Sequence, residues 1–156
     1  MSDVVSTHPA LFLREHIEDI WSEAFPLIYA NQRETGAFDP ADFDPNFEFY
    51  RNAEALGKVV LFTMRVAGKL VGYQTFGLVP HPRYRHKNLA LQDAWYIDPE
   101  YRGPDSLHFM RFADGELERD GWRPVRHSSA RKDISSILLH AGYEPLEQTF
   151  IKSETA

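Results

Sequence analysis

A single strand-to-helix turn constrains the fold of this chain more than any other segment. The run 89–97, LALQDAWYI, is rich in apolar and aromatic residues and predicts a strand. It is followed by the turn-forming residues 98–103, DPEYRG, and then by Pro104, Asp105 and Ser106, which are favoured in the first turn of a helix. Because the start of a helix carries unpaired N–H groups and the positive end of the helix dipole, such a turn is typical of a phosphate-binding site.

The flanking segments predict further helices and strands. A hairpin is predicted from strands at 59–66 and 70–78, joined by a tight turn at Ala67-Gly68. Further strands are predicted at 123–128 and 144–151, and helices at 9–31, 45–56, 104–121 and 133–142. A hairpin that leads into a strand–helix–strand crossover gives a mixed sheet with helices on its faces. The predicted fold class is therefore α/β (α+β).

Several predicted helix boundaries depend on capping residues and on proline. The first helix is assigned from the spacing of its apolar residues, which are Leu13, Ile17, Ile20, Trp21 and Ala24. Pro26 is expected to break or kink this helix. In the second helix, Asp44 is the expected N-cap and Gly57 fits the C-terminal end.

The composition is that of a globular protein. The 156 residues are 43% hydrophobic and 26% charged, and we expect a single domain over 1–156 in which 1–8 are frayed. No run of 18 or more apolar residues occurs, so no membrane span is expected. Residues 1–9 lack the basic and apolar regions of a signal peptide, which makes the cytoplasm the expected location. The absence of cysteine excludes disulfides, thiolate nucleophiles and Cys-ligated zinc.

The charge distribution bears on nucleic acid as a partner. A formal net charge of −6 argues against a general attraction to nucleic acid. The exception is the short run 81–87, HPRYRHK, which combines basic residues with an aromatic residue. Such a loop can contact nucleic acid or simply be solvated. We therefore do not expect nucleic acid as a partner, but the basic loop does not exclude it.

The histidine and aspartate residues do not predict a metal site. The seven histidines follow no zinc-binding spacing, and no His-x-x-x-His pair occurs. The acidic residues Asp39, Asp42, Asp44 and Glu48 have the composition of a calcium loop, but they lack its central glycine and ligand spacing. We therefore expect no metal.

The turn and its surroundings resemble the GCN5-related N-acetyltransferases. Residues 96–103, YIDPEYRG, look like the end of that family's fourth strand and the start of its pyrophosphate loop. Residues 138–145, LLHAGYEP, are similar to a later helix end that closes with glycine and an aromatic residue, and the hairpin segment 68–73 also fits. Together with residues 71–73 and 81–85, the turn more narrowly resembles small acetyltransferase-like proteins of bacteriophages, for which the expected location is the host cytoplasm.

The resemblance implies acyl transfer from acetyl-CoA to an amine, in a fold with a mostly antiparallel mixed sheet and a splayed central strand pair. The positions that match the donor site are Trp95, Tyr96 and Ile97 for the pantetheine arm, and Arg102, Gly103 and Ser106 for the pyrophosphate. The candidate acceptor-binding residues are His81, Tyr84 and Arg85. The acceptor would be an amine of a small molecule or a protein, and a homodimer is open because the family often forms dimers.

The reaction needs a base for the ammonium and an acid for the departing thiolate. Asp93 corresponds to a strand carboxylate that several relatives use as the base, although it could equally pair with a basic residue of loop 79–88. Tyr96 or Tyr143 could supply the acid, or could simply pack and form hydrogen bonds. His127 is a candidate proton shuttle or a residue at the edge of the core.

The sequence departs from the family pattern at three positions. The small residues of the pyrophosphate loop fall on Asp105 and Leu107, and the usual tyrosine acid falls on Leu138. An ordinary helix start explains Pro104, Asp105 and Ser106 without a ligand. Three interpretations therefore remain: an N-acetyltransferase, a non-catalytic binding protein that engages a host protein, and an acyltransferase-like enzyme that modifies a nucleobase.

Overall fold

A computed structural model describes residues 8–154 of the protein. The segment 1–8, expected to be frayed, lies outside the described residues except for the exposed His8. The strands are β1 (Ala10–Glu15), β2 (Val59–Val66), β3 (Lys69–Pro80), β4 (Asn88–Ile97) and β5 (Arg123–Val125). The helices are α1 (Ile17–Thr35), α2 (Phe47–Ala55), α3 (Pro104–Arg119) and α4 (Ser135–His140), with short 3₁₀ turns at Pro40–Asp42 and Pro99–Tyr101.

The five strands form one mixed sheet in the order β1-β2-β3-β4-β5. The first three pairings are antiparallel, whereas β4 and β5 are parallel and are connected through α3. β5 pairs with β4 only at residues 89–91, so β4 continues from Gln92 to Ile97 without β5 beside it. The predicted mostly antiparallel sheet flanked by helices is confirmed. The strand pair expected to splay is β4 and β5, which pair only at residues 89–91, and β5 lies at the edge of the sheet rather than at its centre.

The sheet is covered on both faces. Side chains alternate along β2, so that Phe62 and Met64 face α3 while Leu61 faces α1. The α3 layer is closed by the fully buried Phe109 and Ala113, and the α1 layer is built from residues on one face of that helix, Ile17, Ile20 and Ala24. The helices are therefore held by two apolar layers, with the sheet between them.

The hairpin turn between β2 and β3 confirms the local sequence signal. Ala67 and Gly68 are the two loop residues, because Val66 pairs with Lys69. Both have positive φ, 50° and 79° respectively. Two consecutive residues with positive φ define a type I′ turn, whose twist matches that of the flanking strands.

The predicted helix at 9–31 is wrong at its start. Residues 10–15 form β1, which pairs with β2 in register from Ala10 opposite Val66 to Glu15 opposite Leu61. Phe12 packs inward and its ring lies 5.4 Å from that of Phe109, whereas Leu11 points out and is 56% exposed. A short apolar run fits both the helical and the strand periodicity. Here these residues form a strand because they can pair with the free edge of β2.

Helix α1 begins later than predicted, and Pro26 does not end it. It starts at Ile17, whose N–H donates to Glu54 Oε1 of α2 at 3.0 Å, so a residue distant in sequence caps the helix. The helix continues through Pro26, which was expected to break or kink it.

Within the described residues, no helix is long and apolar enough to cross a membrane.

Two further predictions are corrected. The N-cap of α2 is Asn46 rather than Asp44, because its side-chain oxygen accepts a hydrogen bond from Phe49 N at 3.0 Å. β5 ends at Val125, and the predicted strand at 144–151 is irregular, with Phe150 86% exposed. A strand needs a neighbour to complete its hydrogen bonds, and no strand of the described residues pairs with this segment.

Gly72 is placed where the sheet leaves no room for a side chain. A Cβ there would lie 3.1 Å from both Ile97 Cγ1 and the Tyr96 carbonyl oxygen. We expect Gly72→Ala to lower the free energy of unfolding by about 1–3 kcal/mol through overpacking. Gly77→Ala on the same strand is the matched control, since its nearest contact would be at 4.0 Å. Urea denaturation of both variants checks this, and equal stabilities would contradict it.

Candidate active site

Two cavities open beside β4 and meet on this strand. The larger, of about 510 Å³, lies between α1, α2, the segment 36–46 and the sheet, and we call it the aromatic cavity. The smaller, of about 160 Å³, lies along the part of β4 that β5 leaves uncovered, and we call it the splay cavity. Three residues line both cavities: Asn31, Asp93 and Ala94. Asp93 is the ionisable group at this junction.

Asp93 owes its position to a β-bulge. Ala94 pairs with Thr75 of β3 and Gln92 pairs with Phe76, so Asp93 is an extra residue in the β4 ladder. A bulge changes the direction of a side chain and is common beside active sites. Here it presents an exposed carboxylate at the point where the two cavities join.

Two hydroxyl groups hold the Asp93 carboxylate. Tyr50 Oη donates to Asp93 Oδ2 at 2.9 Å, and Thr75 Oγ1 donates to the same oxygen at 2.8 Å. Burial, together with the nearby Asp93 charge, raises the pKa of Tyr50 well above its usual value, so the phenol keeps its proton and remains a donor. Since both bonds end on Oδ2, Oδ1 has no hydrogen-bond donor from the described residues.

The uncovered edge of β4 offers main-chain groups to the splay cavity. Asp98 N–H donates to Val71 O of β3 at 2.8 Å. Because successive residues of a strand point their N–H groups to opposite edges, those of Ile97 and Trp95 point away from β3. Arg102 Nε donates to Ile97 O at 2.8 Å on this same side. An extended ligand could therefore pair with β4 where β5 is missing.

Arg102 forms a charged cluster in the splay cavity. Its Nη2 lies 2.9 Å from Glu34 Oε2, and Lys132 also pairs with Glu34. Burial alone would raise the pKa of Glu34, but the hydrogen bonds from Arg102 and Lys132 hold it below its usual value. The Arg102 guanidinium also lies over the Tyr96 ring, 5.3 Å from its centre. Arg102 is thus anchored to α1 and adds positive charge to the cavity without extending freely into it.

The start of α3 reaches the splay cavity through Ser106, whereas Gly103 does not line it. Gly103 is the N-cap, and its N–H donates to Ser106 Oγ at 3.2 Å. Ser106 lines the cavity, but this bond engages its hydroxyl group. Asp105, which could have opposed a phosphate, lies with Oδ1 3.5 Å from His108 Nδ1 and does not line the cavity. The amide groups of the first turn are therefore not blocked by that carboxylate.

The other candidate catalytic residues occupy different positions around the splay cavity. Tyr96 is 6% exposed and lines it, and burial raises the pKa of its phenol, against the opposing effect of Arg102. His127 is exposed and lines the cavity near Gln92, with 3.4 Å between their side-chain nitrogens. Tyr143 lines neither cavity and instead donates to Asp114 at 2.6 Å. Tyr96 is therefore better placed than Tyr143 to give up a proton there.

The predicted acceptor residues are not close to this junction. His81, Tyr84 and Arg85 lie in the exposed loop between β3 and β4, and none of them lines either cavity. The loop ends where β4 begins, at Asn88. Asp93 lies five residues further along this strand, a distance of about 17 Å at about 3.4 Å per residue. Their role in binding an acceptor stays a prediction, and the structure does not bring them together with Asp93.

Sequence reasoning missed the residues that surround Asp93. Tyr50 comes from α2 and Thr75 from β3, and no sequence spacing connects them to Asp93. A weak signal for the aromatic cavity does exist in the density of aromatic residues between 38 and 50, which are Phe38, Phe43, Phe47, Phe49 and Tyr50. No three histidine, aspartate or glutamate side chains converge as a metal site within residues 8–154.

Solved structures share this fold over nearly the whole chain. A GCN5-related N-acetyltransferase from Ralstonia eutropha matches with a TM-score of 0.73 and 18% identity, over 93% of this chain and 99% of its own. An aminoglycoside acetyltransferase from a soil metagenomic sample, in complex with sisomicin, matches with a TM-score of 0.69 and 13% identity, over 94% of this chain and 95% of its own. A predicted acetyltransferase with acetyl-CoA from Clostridium acetobutylicum matches with a TM-score of 0.68 and 10% identity, over 93% of this chain and 96% of its own.

No protein-family model and no curated protein matches the sequence. At these identities the structural matches establish the fold: the chain has the fold of the GCN5-related N-acetyltransferases, as its sequence predicted. The narrower resemblance to bacteriophage proteins stays a prediction.

Proposed function

We infer that this protein is an N-acyltransferase that moves an acetyl group from acetyl-CoA to an amine by direct attack in a ternary complex. The observation that carries this proposal is the position of Asp93, on a bulge where two cavities meet. A transferase of this kind needs one site for each substrate and a proton acceptor between them. The proteins that share the fold support the reaction class, and one of them is a structure with acetyl-CoA.

The splay cavity suits the donor. A pantetheine arm has amide groups that can pair with the N–H groups of Trp95 and Ile97 on the uncovered edge of β4. The pyrophosphate would then lie toward the first turn of α3, where the positive end of the helix dipole favours anions. Pro104 supplies no N–H there, and those of Gly103 and Ser106 donate to Ser106 Oγ and Gly103 O. Arg102 and Lys132 add positive charge to the same cavity. Acetyl-CoA is the expected substrate there.

The residues at the junction divide the proton transfers. Asp93 would take a proton from the ammonium of the acceptor, directly or through water, and the free amine would attack the thioester carbonyl carbon. A backbone N–H of β4 would stabilise the negative oxygen that forms. The new C–N bond replaces the C–S bond, and the departing thiolate would receive a proton from Tyr96 or from water. His127, which lines the splay cavity near Gln92, is a candidate for exchanging protons with solvent.

Acetyl-CoA binding tests the donor assignment. We expect saturable binding by isothermal titration calorimetry, and we expect Lys132→Ala to weaken it about tenfold, which is about 1.4 kcal/mol. Lys132→Ala leaves Glu34 with one cationic partner, so the cavity becomes less favourable for an anion. The control is Lys58→Ala, an exposed lysine that lines neither cavity.

The outcomes separate the interpretations. No binding to the unaltered protein at high micromolar acetyl-CoA would rule out the proposal and favour a non-catalytic binding role for the fold. Equal affinities of the two lysine variants would place the donor outside the splay cavity.

A further inference from the structure

The aromatic cavity has the size and the wall of a small-molecule site. Its volume of about 510 Å³ falls within the range of about 300–1,000 Å³ that is typical of ligand pockets. Its apolar wall comes from α1, α2 and the segment between them, and includes Ile20, Trp21, Ile28, Phe43, Phe49 and Tyr50. Such a wall favours an apolar or aromatic occupant over a sugar or a polyamine.

Two of the aromatic residues that line this cavity are exposed. Phe38 is 63% exposed and Phe49 is 61% exposed, and both line the cavity. Trp21 is half-buried in the wall, with its ring 5.0 Å from that of Phe47 and 6.1 Å from that of Tyr50. A ligand that covered the two phenyl rings would remove apolar surface from water, and an ammonium beside such rings would also gain a cation–π contact.

The charges of the aromatic cavity have a single sign. Its ionisable side chains other than tyrosine are Asp39, Asp42, Asp44 and Asp93, and its lining contains no lysine, arginine or histidine. Asp39, Asp42 and Asp44 belong to the segment 36–46, whereas Asp93 lies at the junction with the splay cavity. This arrangement attracts a cation and repels a carboxylate or a phosphate.

The two cavities therefore differ in charge as well as in shape. The splay cavity contains Arg102 and Lys132 along with Glu34 and Asp93, so its cationic and anionic side chains balance. The aromatic cavity contains no basic side chain among its lining residues. Because the two cavities share Asp93, an ammonium that pairs with this carboxylate would stand next to the splay cavity.

We propose that the aromatic cavity binds the acceptor and selects a small primary amine that is cationic at one end and aromatic or apolar at the other, of the size of 2-phenylethylamine or tryptamine. That the bound amine is the acceptor of the acetyl group rests on the proposed function, whereas the binding of the amine to this cavity does not. The ammonium lies against Asp93, and the ring lies among Trp21, Phe43 and Phe49. Acceptors that carry a phosphate or a carboxylate are excluded by the four aspartates.

Binding to the unaltered protein without acetyl-CoA tests the class of ligand. The probes are 2-phenylethylamine, 3-phenylpropanoate with the opposite charge, ethylamine without the ring, and glucosamine 6-phosphate with an added phosphate. Calorimetry is expected to give 2-phenylethylamine a Kd at least about tenfold lower than that of each other probe, a difference of about 1.4 kcal/mol. The fluorescence of Trp21 should change with the same midpoint, and Trp21→Phe should remove most of this change.

Two phenylalanine variants locate the site. Phe49→Ala is expected to raise the Kd for 2-phenylethylamine about fivefold or more, because it removes part of the apolar wall. Phe25→Ala is the matched control: Phe25 is 42% exposed, yet it lines neither cavity. Since Phe49 is exposed, its replacement should leave the fold intact, which circular dichroism would verify.

Each result decides one point. Comparable affinity for 3-phenylpropanoate, tighter binding of glucosamine 6-phosphate, or no saturable binding of 2-phenylethylamine would overturn the proposed ligand class. Equal effects of the two phenylalanine variants would overturn the location. Failure of amine binding together with intact acetyl-CoA binding refutes this inference alone, whereas amine binding without acetyl-CoA binding refutes the proposed function.

Discussion

Replacing Asp93 with asparagine is expected to lower kcat/KM for acetyl transfer by about 10²- to 10⁴-fold, the usual contribution of a general base. Asparagine has nearly the same shape, and its side-chain oxygen can still accept the bonds that Tyr50 and Thr75 donate to Asp93 Oδ2. It cannot take a proton from an ammonium. The variant should therefore keep its fold and its affinity for acetyl-CoA while losing turnover.

The assay for this variant is the release of CoA thiol from acetyl-CoA in the presence of 2-phenylethylamine. Asp19→Asn is the control, since Asp19 is an exposed aspartate in the first turn of α1 that lines neither cavity. A loss in kcat in addition to a rise in KM for the amine would support proton transfer by Asp93, because the lost ion pair with the ammonium raises KM alone. Full kcat/KM in Asp93→Asn would show that the base is elsewhere or that free amine binds directly.

Tyr50→Phe separates the positioning of this base from its chemistry. Tyr50 touches Asp93 Oδ2 and keeps its proton, so we assign it to orient the carboxylate. Its loss leaves the Thr75 bond in place and should reduce kcat/KM by less than the loss of Asp93 does. A reduction equal to that of Asp93→Asn would contradict a role limited to positioning.

The sequence predicts best those parts of the fold that neighbouring residues determine. The strand at 59–66 and the turn at Ala67-Gly68 are confirmed, because alternation and turn preference are local properties. The start of α3 after the 98–103 turn is confirmed for the same reason. In contrast, residues 10–15 form a strand because β2 offers them an edge, which local periodicity does not reveal.

The same division applies to the candidate site. The resemblance was enough to select Asp93 as a candidate, but not to show that a bulge places it between two cavities. Its partners Tyr50 and Thr75 lie 43 and 18 residues away in the chain. The aromatic cavity arises only when α1, α2 and the sheet come together, so its charge and shape belong to the tertiary structure. The catalytic role of Asp93 stays a prediction.

The stability of the region where β4 and β5 separate should depend on Arg126. Its side chain is fully buried, and its guanidinium lies 2.9 Å from Asp114 Oδ1 and 2.8 Å from Gln74 Oε1. It also lies 5.1 Å from the centres of the Phe76 and Trp95 rings. We expect Arg126→Met to lower the free energy of unfolding by about 3–5 kcal/mol, because the Asp114 carboxylate loses its cationic partner in a mostly buried site.

A double-mutant cycle distinguishes this cause from lost packing. Combining Arg126→Met with Asp114→Asn removes both charges, and we expect it to recover a large part of the lost stability. Arg119→Met is the control, since Arg119 pairs with Glu116 but is 71% exposed, and its loss should cost at most about 1 kcal/mol. Urea denaturation measures all of these variants, and strictly additive effects at Arg126 and Asp114 would contradict the ion-pair explanation.

The position of Arg126 also connects stability to the proposed donor site. It follows the last residue of β5, and its Nε is bonded to Tyr143 Oη at 3.0 Å while its Nη1 is bonded to Gln92 Oε1 at 3.2 Å. Gln92 begins the part of β4 that lines the splay cavity. Arg126 thus holds the two strands together at the point where they begin to separate. Arg126→Met should consequently weaken acetyl-CoA binding even where the variant remains folded, whereas Arg119→Met should not; calorimetry below the unfolding transition separates the two effects.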